Sequence, residues 1–374
     1  MYINQKWLDN LGLTMPKTTD EFADVLRAFK KQDPNGNGQP DELPLSGFID
    51  AWHSNFDGFL MNAFLYNDGQ ERMNVTDGKV YPAFTQPEWR EGIKYYRMLS
   101  EEGLIDTQAF VQDNSTYKQL TSGDTIRVGA TQAGHHGMIC DISNPNINDF
   151  TALPPLSGPK GIQYSAYYPT TAKTDSCMVS LSASCSDPIL AIRMIDFLFT
   201  EEATIRNQYG VKGVDWDYND DPNVLDLTGK QALYHTFGKQ QPVGMTQQNV
   251  AWLDLSPFGW EDRVWTSLAQ IVDEGVFDLE KNLYDQSKGY IDYIPDEYLF
   301  PMSYDAETSR FISEHNSIYK AYVEEAFAQY VIGERDISSD SDWERYLSEI
   351  NNMDLDQYIT FVQAAYDKLK NILS

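Results

Sequence analysis

The stretch Asp33-Pro34-Asn35-Gly36-Asn37-Gly38-Gln39-Pro40-Asp41-Glu42 constrains this chain more than any other. Interleaved glycines and prolines disfavour both helix and strand, so the backbone must turn here. Oxygen-bearing side chains at Asp33, Asn35, Asn37 and Asp41 occupy positions 1, 3, 5 and 9 of a calcium loop, with Gly38 at the sharp turn and the Gln39 carbonyl next. A hard cation that gathers about 6 to 8 oxygens gives this spacing a physical reason. Where an EF-hand supplies its last, bidentate Glu this chain has Pro44, and Glu42 is the group that could close the shell instead. The alternative is an Asn-Gly turn with solvated carboxylates. Ligands drawn from one short segment leave little open coordination, which favours a structural ion.

The 374 residues carry 28 Lys and Arg against 56 Asp and Glu, a formal charge of −28, so the chain lacks the basic face that nucleic acid requires. Its length fits two or three domains, and 41% apolar residues can build their cores. No run approaches the ~18 apolar residues of a membrane-spanning helix. The segment Met1 to Trp7 lacks the basic and apolar pattern of a signal peptide, which leaves a cytoplasmic protein or a true N-terminus lying upstream. Cys140, Cys177 and Cys185 have no metal-ligand spacing and read as ordinary thiols.

Helix punctuation is strong near the start. Thr18 and Glu21 form a capping box ahead of Phe22, Val25, Leu26 and Phe29, and the helix should end near Lys30-Lys31. A second box at Thr85-Gln86-Pro87-Glu88 opens a helix through Trp89, Ile93, Tyr96 and Leu99 to Gly103. Short β-like runs follow at Ile126 to Thr131, Phe150 to Leu156 and Met178 to Ala183. Asp187-Pro188 then caps a helix through Ile189, Ile192, Ile195 and Leu198, and a further helix ends at Gly210. From Asp305 onward the pattern is helical, with an aromatic and aliphatic stripe that reads as core packing. Strands alternating with helices point to an α/β arrangement.

Chemistry is sparse. His135-His136 has no third metal ligand at useful spacing and reads as hydrogen-bonding or packing residues. Asp215, Asp217, Asp220 and Asp221 could supply a glycosidase pair or a second ion site, although solvated carboxylates are commonplace in so acidic a chain. No phosphate loop, GxSxG elbow or Cys-His signature is present, which weakens an enzyme reading. Aromatics in polar loops stand out instead: Trp52, Trp216, Trp252, Trp260 and Trp265, with Tyr167, Tyr168 and Tyr218. Sugar rings pack their C–H faces on such side chains while nearby polar groups take the hydroxyls.

Five segments together resemble a known family. They are Leu8 to Leu13 with Thr18 to Phe22; Asp33 to Glu42 with Leu43 to Gly47; Ala152 to Gly161; Tyr209 to Trp216; and Ile332-Gly333-Glu334 with Trp343 and Gln363-Ala364-Ala365-Tyr366-Asp367. Spread from Leu8 to Asp367, they are similar to the extracellular solute-binding proteins, family 1, of bacterial ABC importers, in the lipoprotein branch with alginate- and oligosaccharide-binding members. The resemblance implies an α/β, periplasmic-binding-protein-like (type II) fold with two hinged lobes, a ligand cleft between them and no catalysis. It also implies structural calcium at Asp33, Asn35, Asn37, Gln39, Asp41 and Glu42. Members begin with a lipoprotein signal and a βαβ-rich part of the first lobe, so this chain is expected to start partway, with that lobe incomplete. On that reading residues 1–149 open the second lobe, 150–214 return through the first, and 215–374 continue the second.

The leading expectation is therefore an importer component that captures an oligosaccharide or similar polyhydroxylated solute, monomeric, extracellular, lipid-anchored in its full-length form and partnered by ABC permease subunits. Trp52, His53, His135, Trp216, Trp252 and Trp260 are the expected cleft residues, with rings stacking and His nitrogens hydrogen-bonding. A carbohydrate-active enzyme using Asp215 and Asp217 is the alternative, and a protein-interaction module a third.

Overall fold

The Thr18 hydroxyl accepts a hydrogen bond from Glu21 N, and Glu21 reaches back to Lys17 N at 2.7 Å, so the helix Thr19–Lys31 begins and ends where the punctuation places it. It buries Phe22, Val25, Leu26 and Phe29. The helix Pro87–Glu101 also forms, but without the expected capping box: Gln86 makes no side-chain cap, and Thr85 Oγ1 donates to Pro82 O instead. Pro in its first turn suffices to start it, because a proline lacks only an N–H that would be orphaned anyway.

The computed structural model describes residues 1–49, 51–167, 179–237, 266–271 and 276–373. They fall into two compact units, Met1–Thr170 with Gln286–Ser374 (unit 1) and Thr171–Asp285 (unit 2). The sequence boundaries at 150 and 214 differ from these. Phe150 lies in a strand paired with the chain's first strand, while Trp216 and Tyr234 pack with Ile205 of the preceding helix.

Unit 1 contains strands β1 (Tyr2–Asn4), β2 (Leu43–Ser46), β3 (Met73–Thr76), β4 (Lys79–Pro82), β5 (Val128–Thr131) and β6 (Phe150–Ala152). The main sheet has the order β2-β5-β1-β6, with β2 and β5 parallel and β1 antiparallel to both its neighbours. The hairpin β3–β4 stands apart from it. One continuous core links Trp7 and Phe29 near the sheet through Trp89 and Tyr96 to Tyr319, Phe327 and Tyr330 of the long helix Ala306–Ile332. The tail motif acts within this frame. Gln363, on the helix Leu355–Leu373, accepts from Val80 N at 2.8 Å and donates to Gly78 O at 2.9 Å, clamping the hairpin.

Arg72 ties these parts together. It is 2% exposed and gives Nε to Asp57 Oδ2 at 2.8 Å, Nη2 to Asp57 Oδ1 at 3.0 Å and Nη2 to Glu324 Oε1 at 3.1 Å. Burial alone would raise the Asp57 carboxyl, but Arg72 and the Asn67 amide outweigh it and hold it below the usual carboxylate range.

In unit 2 the helix Pro188–Leu198 is capped by Asp187, whose side chain accepts from Leu190 N, and the helix Glu201–Tyr209 ends at Gly210, both as read. A hairpin of β7 (Trp216–Tyr218) and β8 (Tyr234–Thr236) packs Trp216 and Tyr234 against Ile205 and Leu268. Among the described residues 179–183 no strand forms, contrary to the β-like reading there. A run of apolar residues becomes a strand only where a neighbour completes its ladder.

Arg72→Met removes one partner of a buried ion pair and strands Asp57. It is expected to destabilise unit 1 by about 3–5 kcal/mol in urea denaturation, and Arg72→Met with Asp57→Leu by clearly less. A cost near zero for the single variant would show that the pair does not hold the fold.

Candidate functional site

In α/β sheets, ligands bind beyond the carboxyl ends of parallel strands. Here β2 and β5 are the parallel pair, in register at Leu45 with Ala130 and Ser46 with Thr131. The chain leaves β2 into Trp52 and His53 and leaves β5 into Gln132 and His135. These residues come together. The Trp52 and His53 rings meet edge-to-face with centroids 4.4 Å apart, and Trp52 lies 6.0 Å from the His135 ring. Gln132 Nε2 donates to His53 O at 3.2 Å, and Gln70 Nε2 approaches His53 Nδ1 at 3.4 Å.

Trp52 remains 57% exposed, an unusual placement for so large an apolar ring. Gly134 makes its position possible. A Cβ there would lie 2.2 Å from the indole and 2.8 Å from Trp52 O, so only glycine lets this backbone approach the ring. Both flanking imidazoles are held below the usual histidine range, His53 by burial and His135 by burial and then by the charge of Lys118, and both are neutral at pH 7. His136 points into the core instead, with Nε2 3.1 Å from Phe150 O and its titration pushed down to about 4 by burial. It is thus a packing residue, as the sequence reading has it.

Trp216 corrects the sequence expectation. It is fully buried, its indole N–H donates to Gly210 O at 3.0 Å, and its ring packs edge-on to Tyr218 and Tyr234. The polar residues around it in sequence belong to turns, while the ring itself fills the core of unit 2. Trp252 and Trp260, with Tyr168 and Trp265, lie outside the described residues. Gln70, Gln132 and Gly134 escaped the sequence reading; the rule about strand ends points to Gln132 and Gly134 once β5 is located.

In the acidic turn both candidate carboxylates have local partners. Asp215 Oδ2 accepts from Val211 N at 2.6 Å and Asp217 Oδ1 from Tyr218 N at 2.8 Å, so both carboxylates are engaged locally. A hollow of about 600 Å³ nearby in unit 2 is edged by Asn219, Asp226, Thr228 and Lys230. It carries no aromatic platform among its lining residues, and Asp226 Oδ1 is taken by Thr228 N, Thr228 Oγ1 and Lys230 N.

At the opposite ends of the same two strands lies the oxygen-rich loop. Asp33 accepts from Asn37 N at 3.1 Å and Gly38 N at 2.9 Å, and Gly38 adopts φ 74°, which the turn requires. Asn35 and Asn37 donate to Asp41 Oδ1, and Arg127, at the start of β5, donates to Asp41 O at 3.2 Å. Desolvation works against the Asp41 charge, yet these amides and Arg127 keep its carboxyl below the usual range. Glu42 behaves oppositely. Burial, then the charges of Asp33 and Asp41, push its carboxyl up, and Oε1 is buried without a hydrogen-bond partner. An orphaned carboxylate oxygen beside two further acids fits a cation. Among the described residues no three His, Cys, Asp or Glu side chains gather as a metal site by themselves. The loop's donors are mixed carboxylate, amide and carbonyl oxygens, the chemistry of calcium rather than of zinc.

No family model matches the chain. It is similar in sequence to FusA of Streptococcus pneumoniae serotype 4, a fructooligosaccharide ABC transporter substrate-binding protein, with 28% identity over 374 residues covering 98% of this chain and 65% of FusA. Lipoprotein LipO of Bacillus subtilis strain 168 is 29% identical over 251 residues, 64% of this chain and 49% of LipO. The chain thus spans less than two thirds of the length of these curated relatives. The structure of FusA in complex with kestose superposes with a TM-score of 0.77 at 25% identity, covering 99% of this chain and 72% of that one, and FusA has also been solved as an EF-hand mutant. A human-milk-oligosaccharide-binding protein of Bifidobacterium longum infantis shares the fold at TM-score 0.75 and 22% identity, covering 98% of this chain and 73% of the other. In sequence along nearly its whole length, and in fold, this chain is similar to substrate-binding proteins of ABC transporters.

Proposed function

We propose that this chain captures an oligosaccharide for an ABC importer, without chemistry on the sugar. One observation carries the reading: the exposed Trp52 ring, flanked by the neutral imidazoles of His53 and His135, at the carboxyl ends of the parallel strands β2 and β5. An indole face takes the C–H surface of a pyranose or furanose ring, and the imidazole nitrogens take hydroxyls. FusA, which its kestose complex identifies as an oligosaccharide binder, supports the solute class. On this reading the chain works outside the cell on a lipid anchor, which the lipoprotein LipO supports, and its partners are a sugar and permease subunits, with the protein itself a monomer.

Calcium held by Asp33, Asn35, Asn37, Gln39, Asp41 and Glu42 would have a structural role, bracing the loop against the start of β5 through Arg127. The EF-hand of FusA supports this assignment.

Titration of the chain with neutral oligosaccharides tests the capture reading. Trp52→Ala should weaken binding at least about tenfold, or ~1.4 kcal/mol, without lowering the melting temperature, because the ring is largely exposed. Unchanged affinity would remove Trp52 from the site.

Calcium at a hundredfold above its dissociation constant should stabilise the chain by about 2.7 kcal/mol, reversed by a chelator. The fold favours protonated Glu42, so without metal stability falls as pH rises from the ordinary 4.5 through the raised value, and the loss is complete above it. Glu42→Gln should therefore raise the metal-free melting temperature once pH exceeds that raised value, and abolish most of the calcium response. A full calcium response in Glu42→Gln would exclude Glu42 as a ligand.

A further inference from the structure

Next to His53, the residue that follows Trp52, lies an acceptor with nothing to accept. Gln132 is 9% exposed, and its Nε2 donates to His53 O at 3.2 Å. A main-chain carbonyl can only accept, so the orientation of the Gln132 amide is fixed and Oε1 is necessarily the acceptor end. That oxygen is buried and has no hydrogen-bond partner, and the same holds for His135 Nδ1. Buried polar atoms are normally satisfied, so an amide acceptor and an imidazole nitrogen both left open near an exposed aromatic ring point to a group brought by a ligand.

The chemistry of that group follows. An amide oxygen takes a donor, and among the groups of a carbohydrate the hydroxyl is the one that donates from every ring position. A carboxylate only accepts, and would set oxygen against oxygen. Among the described residues, Lys118, whose charge bears on His135, is bound to Asp141 at 3.0 Å. Both flanking imidazoles are uncharged at neutral pH because burial disfavours their protonation.

We propose that Gln132 Oε1, with His135 Nδ1 beside the Trp52 ring, receives ligand hydroxyls and makes this a site for neutral sugars that discriminates against uronic acids. The proposal rests on the capture reading and names the solute class within it. Gln132 is then a specificity-determining residue, and its bond to His53 O orients it for that task.

Two substitutions separate this role from a structural one. Gln132→Met removes both the acceptor and the donor to His53 O. Gln132→Lys removes the acceptor but restores a donor and adds a cation. Binding of neutral trisaccharides (kestose, raffinose, maltotriose) and of trigalacturonic acid is read by calorimetry for the full chain and both variants, with melting temperatures as a check on folding.

The wild-type chain should bind at least one neutral trisaccharide and bind trigalacturonic acid at least about a hundredfold more weakly. Gln132→Met and Gln132→Lys should each weaken neutral binding about tenfold, and Gln132→Lys should gain affinity for trigalacturonic acid. Neutral binding retained by Gln132→Lys but lost in Gln132→Met would assign Gln132 a structural role only and overturn the proposal. Equal wild-type affinity for trigalacturonic acid and a neutral sugar would also overturn it, while leaving sugar capture intact. If no sugar of either kind binds, the capture reading falls and takes this proposal with it.

Discussion

The geometry of unit 1 depends on one guanidinium. Arg72 is held in a left-handed backbone conformation, φ 57°, which a long side chain adopts only under constraint, and its main-chain N–H donates to Asp68 Oδ1 at 2.8 Å. From there it grips Asp57 with two nitrogens and Glu324 with one, joining the loop after β2, the hairpin β3–β4 and the long C-terminal helix. Within the loop, Asn67 bonds Asp57 and Asn62 bonds Asn67, so residues 57–72 fold around a satisfied polar core. Such a network contributes less net stability than its contact count suggests, because desolvating the charges offsets much of their attraction. What it specifies is position. Asn55 Nδ2 donates to Gly69 O at 2.6 Å and Gln70 reaches His53, so the segment carrying Trp52 is located by the ring of contacts that Arg72 closes.

Much of this was legible in local chemistry and little of it in composition. The helices Thr19–Lys31, Pro188–Leu198 and Glu201–Tyr209 were readable because caps and periodicity are properties of neighbouring residues. The missing capping box at Gln86 shows the limit of that logic, since Thr85 found a nearer acceptor in Pro82 O. Burial was harder to read. The helix Pro188–Leu198 is rich in apolar residues, yet none of it is buried, while Trp216, which its neighbours place in a polar loop, is enclosed. Both outcomes are set by what a distant part of the chain supplies, which periodicity cannot report.

The candidate site was half legible for the same reason. In sequence Trp52, His53 and His135 are separate aromatic or imidazole groups in polar loops, and the structure brings them together because β2 and β5 run parallel and end together. Their grouping is a property of the sheet. Gln132 carries no compositional signal at all, and it becomes visible only through an unpaired oxygen. In the oxygen-rich loop the donors lie within a single turn of chain, so spacing alone was enough to single it out.

The two polar features occupy opposite ends of the same strand pair, and this separation has a physical use. Each leaves buried oxygen atoms unsatisfied, Glu42 Oε1 at one end and Gln132 Oε1 at the other, and each oxygen raises the free energy of the empty protein. The partners they call for differ in kind. A carboxylate crowded by Asp33 and Asp41 is relieved by a cation, whereas a neutral amide oxygen is relieved by a hydroxyl. Were the two adjacent, the cation would neutralise local charge and make the ligand face hospitable to uronates. On the proposed reading the length of β2 holds them apart, so that an ion would brace the loop onto Arg127 at the end away from Trp52, and a net charge of −28 would disfavour an anionic solute.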